Sequence, residues 1–158
     1  EVMETAADNF ISSVYWADAS ALAAGLAAMQ ELQRIGSLAA VEDRGKQLQE
    51  GLGEAIQRTG DLPIKVAGYC VLPLLTFDHP DPQTNNQLAT LHTQEMAKRG
   101  VFASTYHYMT FAHSPDDIRA TLVAARESFA VLTMAVADGD VGKYLEVPEK
   151  QTGFRRLV

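Results

Sequence analysis

The chain has 158 residues, 47% of them apolar, and its 13 basic and 20 acidic side chains give a net charge of −7. A chain of this size and apolar content can bury a sizeable core, which excludes a disordered tail. The acidic balance argues against a nucleic-acid partner, whose usual signature on a protein is a basic patch. A single cysteine builds no disulfide framework, and no apolar run is long enough to span a membrane. Residue 1 does not begin a signal peptide, so we expect a cytoplasmic protein without a membrane partner.

The first sixty residues predict a packed terminal segment followed by helix. Segment 1–18 is crowded with apolar and aromatic side chains, which indicates either a terminal strand of this domain or a segment that packs on a neighbouring domain or subunit. From residue 19 to about residue 59, leucines such as Leu22 and Leu26 recur at helical spacing among alanines. Because Ile35-Gly36 suits a helix end, this region predicts two helices or one long bent helix.

The middle of the chain predicts strands. Ile64–Tyr69 and Val71–Phe77 are apolar and rich in β-forming residues. Because a proline inside a strand marks an edge or an irregularity, Pro73 leaves two interpretations, two short strands or one strand with a bulge. Val101-Phe102 begins a further strand candidate.

Two later helices carry start and stop signals. Thr84 is the predicted cap of a helix that closes at 98–100, where two cations precede a glycine. Residues 114–117 (Ser-Pro-Asp-Asp) predict the start of the last helix, which ends at Asp138-Gly139. The element order predicts an α+β fold, a small and mostly antiparallel sheet covered by helices.

The sequence contains no metal-binding, phosphate-loop or nucleophile motif, so we expect no metal site. His107, which stands between Tyr106 and Tyr108, is the most site-like histidine, although an ordinary strand or loop histidine is the alternative. His113 precedes the Ser114 cap, where we expect a structural role. The residues alone therefore define an α+β domain without a function.

Three stretches, 1–32, 99–132 (with AHSPDDI inside it) and 152–158 (TGFRRLV), together resemble the C-terminal part of class III pyridoxal-phosphate-dependent aminotransferases. The glutamate-1-semialdehyde 2,1-aminomutase branch is the most similar. The resemblance implies the C-terminal domain of a fold type I coenzyme-dependent enzyme. Residues 19–158 would form this small domain, and residues 1–18 would complete the large domain or the dimer interface.

The resemblance also implies where the coenzyme chemistry lies. In this family the lysine that forms the imine with pyridoxal phosphate belongs to the large domain, which would precede Glu1. No lysine of this chain falls at that position, and we expect no catalytic residue here and no pyridoxal phosphate bound by this chain alone. The lysines are Lys46, Lys65, Lys98, Lys143 and Lys150.

Site residues follow from the same resemblance. A family Ser or Thr reaches the partner subunit's coenzyme phosphate from a position that matches Val14, and Ser12 and Ser13 offer hydroxyls beside it. The family segment matching 103–110 lines the substrate entrance, which makes Tyr106, His107 and Tyr108 candidates for substrate contact. The aminomutase branch has a glutamate near the position of Thr105, and its absence here favours a general aminotransferase relative.

The resemblance thus predicts a part that closes the active site and forms a homodimer or higher homo-oligomer, in an enzyme acting on an amino acid or amine. Two alternatives stay open. One is a stand-alone, non-catalytic interaction domain with the same fold. The other is an unrelated α+β binding domain whose alanine-rich helix mimics the family.

Overall fold

The computed structural model describes residues 4–5 and 18–151, and the chain divides into two compact units, Glu1–Leu38 and Ala39–Val158. The first unit contains helix α1 (Ala19–Arg34), which begins at the cap residue Asp18. The Asp18 carboxylate accepts hydrogen bonds from the Ser20 amide at 2.9 Å and from its hydroxyl at 2.6 Å. None of the residues of α1 is buried, and its apolar stripe is exposed.

Helix α2 (Ser37–Gln57) follows α1 after two residues, Ile35 and Gly36, of which Gly36 is in the left-handed conformation at φ 63°. Of the two predicted arrangements, two helices is therefore the one observed. Gly45 marks a close approach of α2 to the chain near Cys70, because a Cβ at this position would lie 1.9 Å from the Cys70 carbonyl oxygen. Any larger residue would force the two backbones apart.

Strands β1 (Ile64–Tyr69) and β2 (Leu72–Phe77) form an antiparallel hairpin with a two-residue turn. The register pairs Ile64 with Phe77 and Tyr69 with Leu72. The predicted bounds of the first strand are confirmed, and two strands rather than one bulged strand are observed.

A third, irregular segment runs beside β2. The Leu75 amide donates to the Thr105 carbonyl at 2.8 Å, and the His107 amide donates to the Pro73 carbonyl at 2.9 Å. In a regular antiparallel ladder the amide of residue 73 would also donate to the His107 carbonyl. Because proline has no N–H, this bond is missing, and the pairing is reduced to one isolated bridge between Leu74 and Tyr106. Pro73 therefore interrupts the edge of the hairpin that receives this third segment.

The prediction of a strand that begins at Val101-Phe102 is wrong, because these two residues are not in a strand. The Val101 amide donates to the carbonyl of Met96, and the Ala103 amide donates to Val101, each at 3.0 Å. These bonds tie the backbone into a local turn at the end of a helix, so strand-like pairing with β2 starts only at Thr105.

That helix, α3 (Pro82–Lys98), is capped by Asp81 and not by the predicted Thr84. The Asp81 carboxylate accepts from the amide of Thr84 at 2.9 Å and from its hydroxyl at 2.6 Å. Pro82 suits the first helical position because its missing N–H would have no partner there. The helix therefore starts earlier than predicted, and it ends at Lys98 as expected.

Helix α4 (Pro115–Ala137) begins as predicted, with a reciprocal capping box. The Asp117 amide donates to the Ser114 hydroxyl at 3.2 Å, and the Ser114 amide donates to the Asp117 carboxylate at 2.7 Å. A short 3₁₀ helix (Val141–Tyr144) follows. The chain after it lies along α3, where Gln94 donates to the Tyr144 carbonyl at 2.9 Å and accepts from the Glu146 amide at 2.7 Å.

The core of the second unit lies between the hairpin and helices α2, α3 and α4. Its fully buried members come from each of these elements, for example Leu52 of α2, Leu75 of β2, Leu91 of α3 and Phe129 of α4. The α+β prediction, a small antiparallel sheet covered by helices, is confirmed.

Within residues 18–151, helix α4 is long and apolar enough to cross a membrane by length and composition alone. Core helices of globular domains pass the same test, and Ala125, Phe129 and Leu132 of α4 are fully buried in the core. The observation is therefore weak support for a span.

Candidate functional site

A cavity of about 440 Å³ opens between the 101–109 segment and the helices of the second unit. Leu48 of α2, Thr93 of α3 and Ile118 of α4 form part of its wall. All three predicted substrate-contact residues also line it, namely Tyr106, His107 and Tyr108. The fold thus brings the sequence candidates to one cavity.

His107 lies on the inner side of the segment. Side chains alternate along an extended chain, and His107 shares its buried side with Thr105. The side chain is 7% exposed, and neither ring nitrogen has a hydrogen-bond partner within residues 18–151. Burial lowers the pKa of His107, against a smaller opposing effect of the Pro73 backbone. The ring is therefore neutral at pH 7.

His92 on α3 is a second buried imidazole, and it was not singled out from the sequence. Its Nδ1 lies 3.0 Å from the Ser128 hydroxyl, and its ring stacks on Phe129 with centroids 5.5 Å apart. Burial lowers the pKa of His92 to about 3, with a smaller contribution from the charge of His107. One signal could have found it, because His92 stands midway between the buried Leu88 and Met96 at four-residue spacing.

Tyr106 and Tyr108 lie on the outer side of the same segment. They are 49% and 70% exposed, and their ring centroids are 6.4 Å apart. The two tyrosines form the rim of the cavity, whereas His107 belongs to its buried wall. The three candidates therefore face two different environments.

Charged groups at the cavity serve local structure. Hydrogen bonds from the Ser114 amide and hydroxyl lower the pKa of Asp117. His113 Nδ1 accepts from the Thr110 amide at 3.1 Å, in agreement with the structural role expected for it. Within residues 18–151, no group of three or more His, Cys, Asp or Glu side chains could hold a metal ion.

The described residues do not fit the requirements of an imine-forming coenzyme site. No lysine lines the cavity in the part of the chain that the structure describes. Lys65 is paired with Asp78, and Lys98 with Glu95 at 2.9 Å. The predicted coenzyme-phosphate residues, Ser12, Ser13 and Val14, lie outside the described residues.

No family model matches the sequence, but individual relatives do. The chain is 26% identical over 133 residues to a 3-aminobutyryl-CoA aminotransferase of Cloacimonas acidaminovorans, a match that covers 82% of this chain and 32% of that protein. It is 32% identical over 126 residues to the glutamate-1-semialdehyde 2,1-aminomutase of Paracidovorax citrulli, with coverages of 72% and 28%. The same enzyme of Verminephrobacter eiseniae is 30% identical over 122 residues, with coverages of 71% and 28%.

Two solved structures of pyridoxal-phosphate enzymes or transaminases have a fold similar to that of this chain. The pyridoxal phosphate internal aldimine form of Sphingopyxis sp. MTA144 FumI superposes with a TM-score of 0.69 at 26% identity, covering 85% of this chain and 32% of that one. An omega-transaminase from Sphaerobacter thermophilus shares the fold, with a TM-score of 0.55 at 21% identity and coverages of 69% and 27%.

The resemblance to class III pyridoxal-phosphate-dependent aminotransferases, with glutamate-1-semialdehyde aminomutase among them, is thereby confirmed. The chain spans about 30% of the length of these relatives, which is consistent with the C-terminal part that the resemblance implies.

Proposed function

We propose that this chain supplies the C-terminal part of a pyridoxal-phosphate-dependent aminotransferase or aminomutase, and that the chain is not catalytic alone. The sequence match to such enzymes across 71–82% of the chain carries this proposal. In the complete enzyme this part would close the active site over an amino-acid or amine substrate. The coenzyme would be held by a lysine outside this chain, in a cytoplasmic protein.

The outer face of the 101–109 segment supports a role in substrate contact. Tyr106 and Tyr108 present two neighbouring aromatic rings to the outside. Aromatic faces attract the ammonium group that an amine substrate carries before reaction. A larger domain packed against this face would enclose the substrate between the rings and the coenzyme.

The exposed stripe of α1 supports the proposed association with a larger body or a second subunit. Leu22, Leu26 and Met29 are 54–67% exposed and lie on one helix face. Contiguous exposed apolar surface marks an interaction site. Ser12, Ser13 and the backbone of Val14 are proposed to reach the partner subunit's coenzyme phosphate from the neighbouring segment.

The first test is the mass and coding sequence of the polypeptide made in the native cell. We expect an in-frame region that carries an aminotransferase lysine ahead of Glu1. A native polypeptide that starts within a few residues of Glu1 would overturn the proposal and favour the stand-alone interaction domain.

The second test uses the complete enzyme. Tyr106→Ala and Tyr108→Ala are expected to raise KM for the amine while the coenzyme absorbance stays unchanged. Tyr69→Ala is the matched control, because Tyr69 is 81% exposed and does not line the cavity. An equal effect of all three substitutions would contradict the assignment of the rim.

A further inference from the structure

The inner part of the cavity carries a polar group with no partner. His107 is 93% buried, and among the residues that the structure describes both of its ring nitrogens lack hydrogen-bond partners. A neutral imidazole offers one donor and one acceptor, and leaving such groups buried and unpaired is unfavourable. The surrounding wall includes apolar side chains, among them Leu48, Val101, Met109 and Ile118.

Three other polar side chains of this wall, Thr93, Thr121 and Asp117, are already engaged in hydrogen bonds. The Thr93 hydroxyl donates to the Ala89 carbonyl at 3.0 Å, and the Thr121 hydroxyl donates to the Asp117 carbonyl at 2.8 Å. The Asp117 carboxylate accepts from Ser114. Among the described residues that line the cavity, His107 alone combines deep burial with unmet hydrogen-bonding capacity.

We infer that this cavity binds an uncharged, mainly apolar molecule with a single hydroxyl group, whose hydroxyl bonds to the His107 ring and whose apolar part packs on the wall. The volume of about 440 Å³ lies within the range of small-molecule sites. All walls of the site belong to the second unit. The inference therefore does not depend on the enzymatic role proposed above.

Charge selects the class of ligand. A carboxylate would lie near Asp117, and the neutral His107 ring offers it no counter-charge. An ammonium group would lose its water against a mainly apolar wall, which is costly, and the Asp117 carboxylate that could pair with it already accepts from the Ser114 amide and hydroxyl. A hydroxyl needs only the one donor and one acceptor that the imidazole provides.

Phe102 lines the cavity with an exposed aromatic ring. Its side chain is fully exposed and lies at the cavity. Closing this ring over a bound molecule would bury both apolar surfaces.

The experiment titrates the 158-residue chain, labelled with ¹⁵N-histidine, with three probes of one size: benzyl alcohol, benzoate and benzylamine. We expect benzyl alcohol to shift the His107 ring signals and to bind at least tenfold more tightly than either charged probe. His79 is the internal control, because it lies outside the cavity wall. No coenzyme is present, so the outcome is separate from the test of the proposed function.

A second arm isolates the hydrogen bond. Toluene lacks the hydroxyl and should bind the unaltered chain at least tenfold more weakly than benzyl alcohol. His107→Leu should remove that difference, and if this variant does not fold, the comparison of toluene with benzyl alcohol still decides. Absence of a His107 shift, equal shifts at His79, or equal affinity for the charged probes would overturn the inference.

Discussion

Glu95 is a buried carboxylate that accepts hydrogen bonds from Gln94, Lys98 and Arg99. Its side chain is only 7% exposed, and it accepts from Arg99 at 2.7 Å and from Lys98 at 2.9 Å. Burial raises the pKa of Glu95, but the hydrogen bonds from Arg99, Lys98 and Gln94 outweigh burial and lower the pKa to about 2. The folded protein thus holds this group ionised in strongly acidic solution.

The magnitude follows from the pKa difference. The pKa falls from 4.5 to about 2 on folding. At about 1.4 kcal/mol per pKa unit, this corresponds to a stabilisation of about 3 kcal/mol at neutral pH. Because the folded pKa lies below the unfolded one, the stabilisation is present above about pH 4.5 and is lost progressively as the pH falls towards 2.

The assay is urea unfolding of the unaltered chain and of Glu95→Gln from pH 7 to pH 2. We expect the substitution to lower the free energy of unfolding by about 3 kcal/mol at pH 7, and the difference between the two proteins to shrink towards pH 2. The effect of His92, whose folded pKa is also low, cancels in this difference.

Glu127→Gln is the matched control. Glu127 pairs with the same Arg99 at 2.8 Å, but its side chain is 59% exposed. An exposed pair contributes about 0–1 kcal/mol, so this variant should change stability little. A Glu95→Gln effect that is independent of pH, or equal to that of Glu127→Gln, would refute the electrostatic account.

Three further predictions concern stability measured by urea unfolding. Gly45→Ala should destabilise by more than about 2 kcal/mol because its Cβ meets the Cys70 backbone, whereas Gly53→Ala, with nothing within 4 Å, should stabilise by about 0.5–1 kcal/mol. Equal effects of the two would contradict the close approach. Ser114→Ala should cost about 1 kcal/mol and speed amide exchange in the first turn of α4, and unchanged exchange there would contradict the cap. Gln94→Ala should cost about 1–2 kcal/mol and make the chain after Tyr144 easier to cleave with protease, since Gln94 makes two bonds to its backbone.

Local signals predicted the elements well, because the determining contacts lie within a few residues. The Ser114-Pro115 start and the break at Gly36 are of this kind. The cap of α3 was misplaced because Asp81 and Thr84 are both good capping residues three positions apart, and only the geometry decides between them. A short-range signal can therefore locate a helix and still miss its first residue.

Contacts between distant residues could not be predicted. The buried contact of His92 is with Ser128, which lies 36 residues further along the chain. Likewise, the pairing of 105–109 with β2 depends on which edge of the hairpin is free, and sequence periodicity does not contain that information. The sequence itself singled out His107, and the resemblance named Tyr106, His107 and Tyr108 as substrate contacts. Their separation into two faces is visible only in the structure.

That separation links the two proposals. His107 is bonded to Pro73 on the inner side of the segment, and the adjacent Tyr106 and Tyr108 must then point outward because side chains alternate. A substitution of either tyrosine changes the rim of the cavity, whereas the His107 amide bond to Pro73 does not involve the tyrosine side chains. Substrate contact at the rim and ligand binding at His107 can therefore be gained or lost independently, although the residues involved are neighbours in the chain.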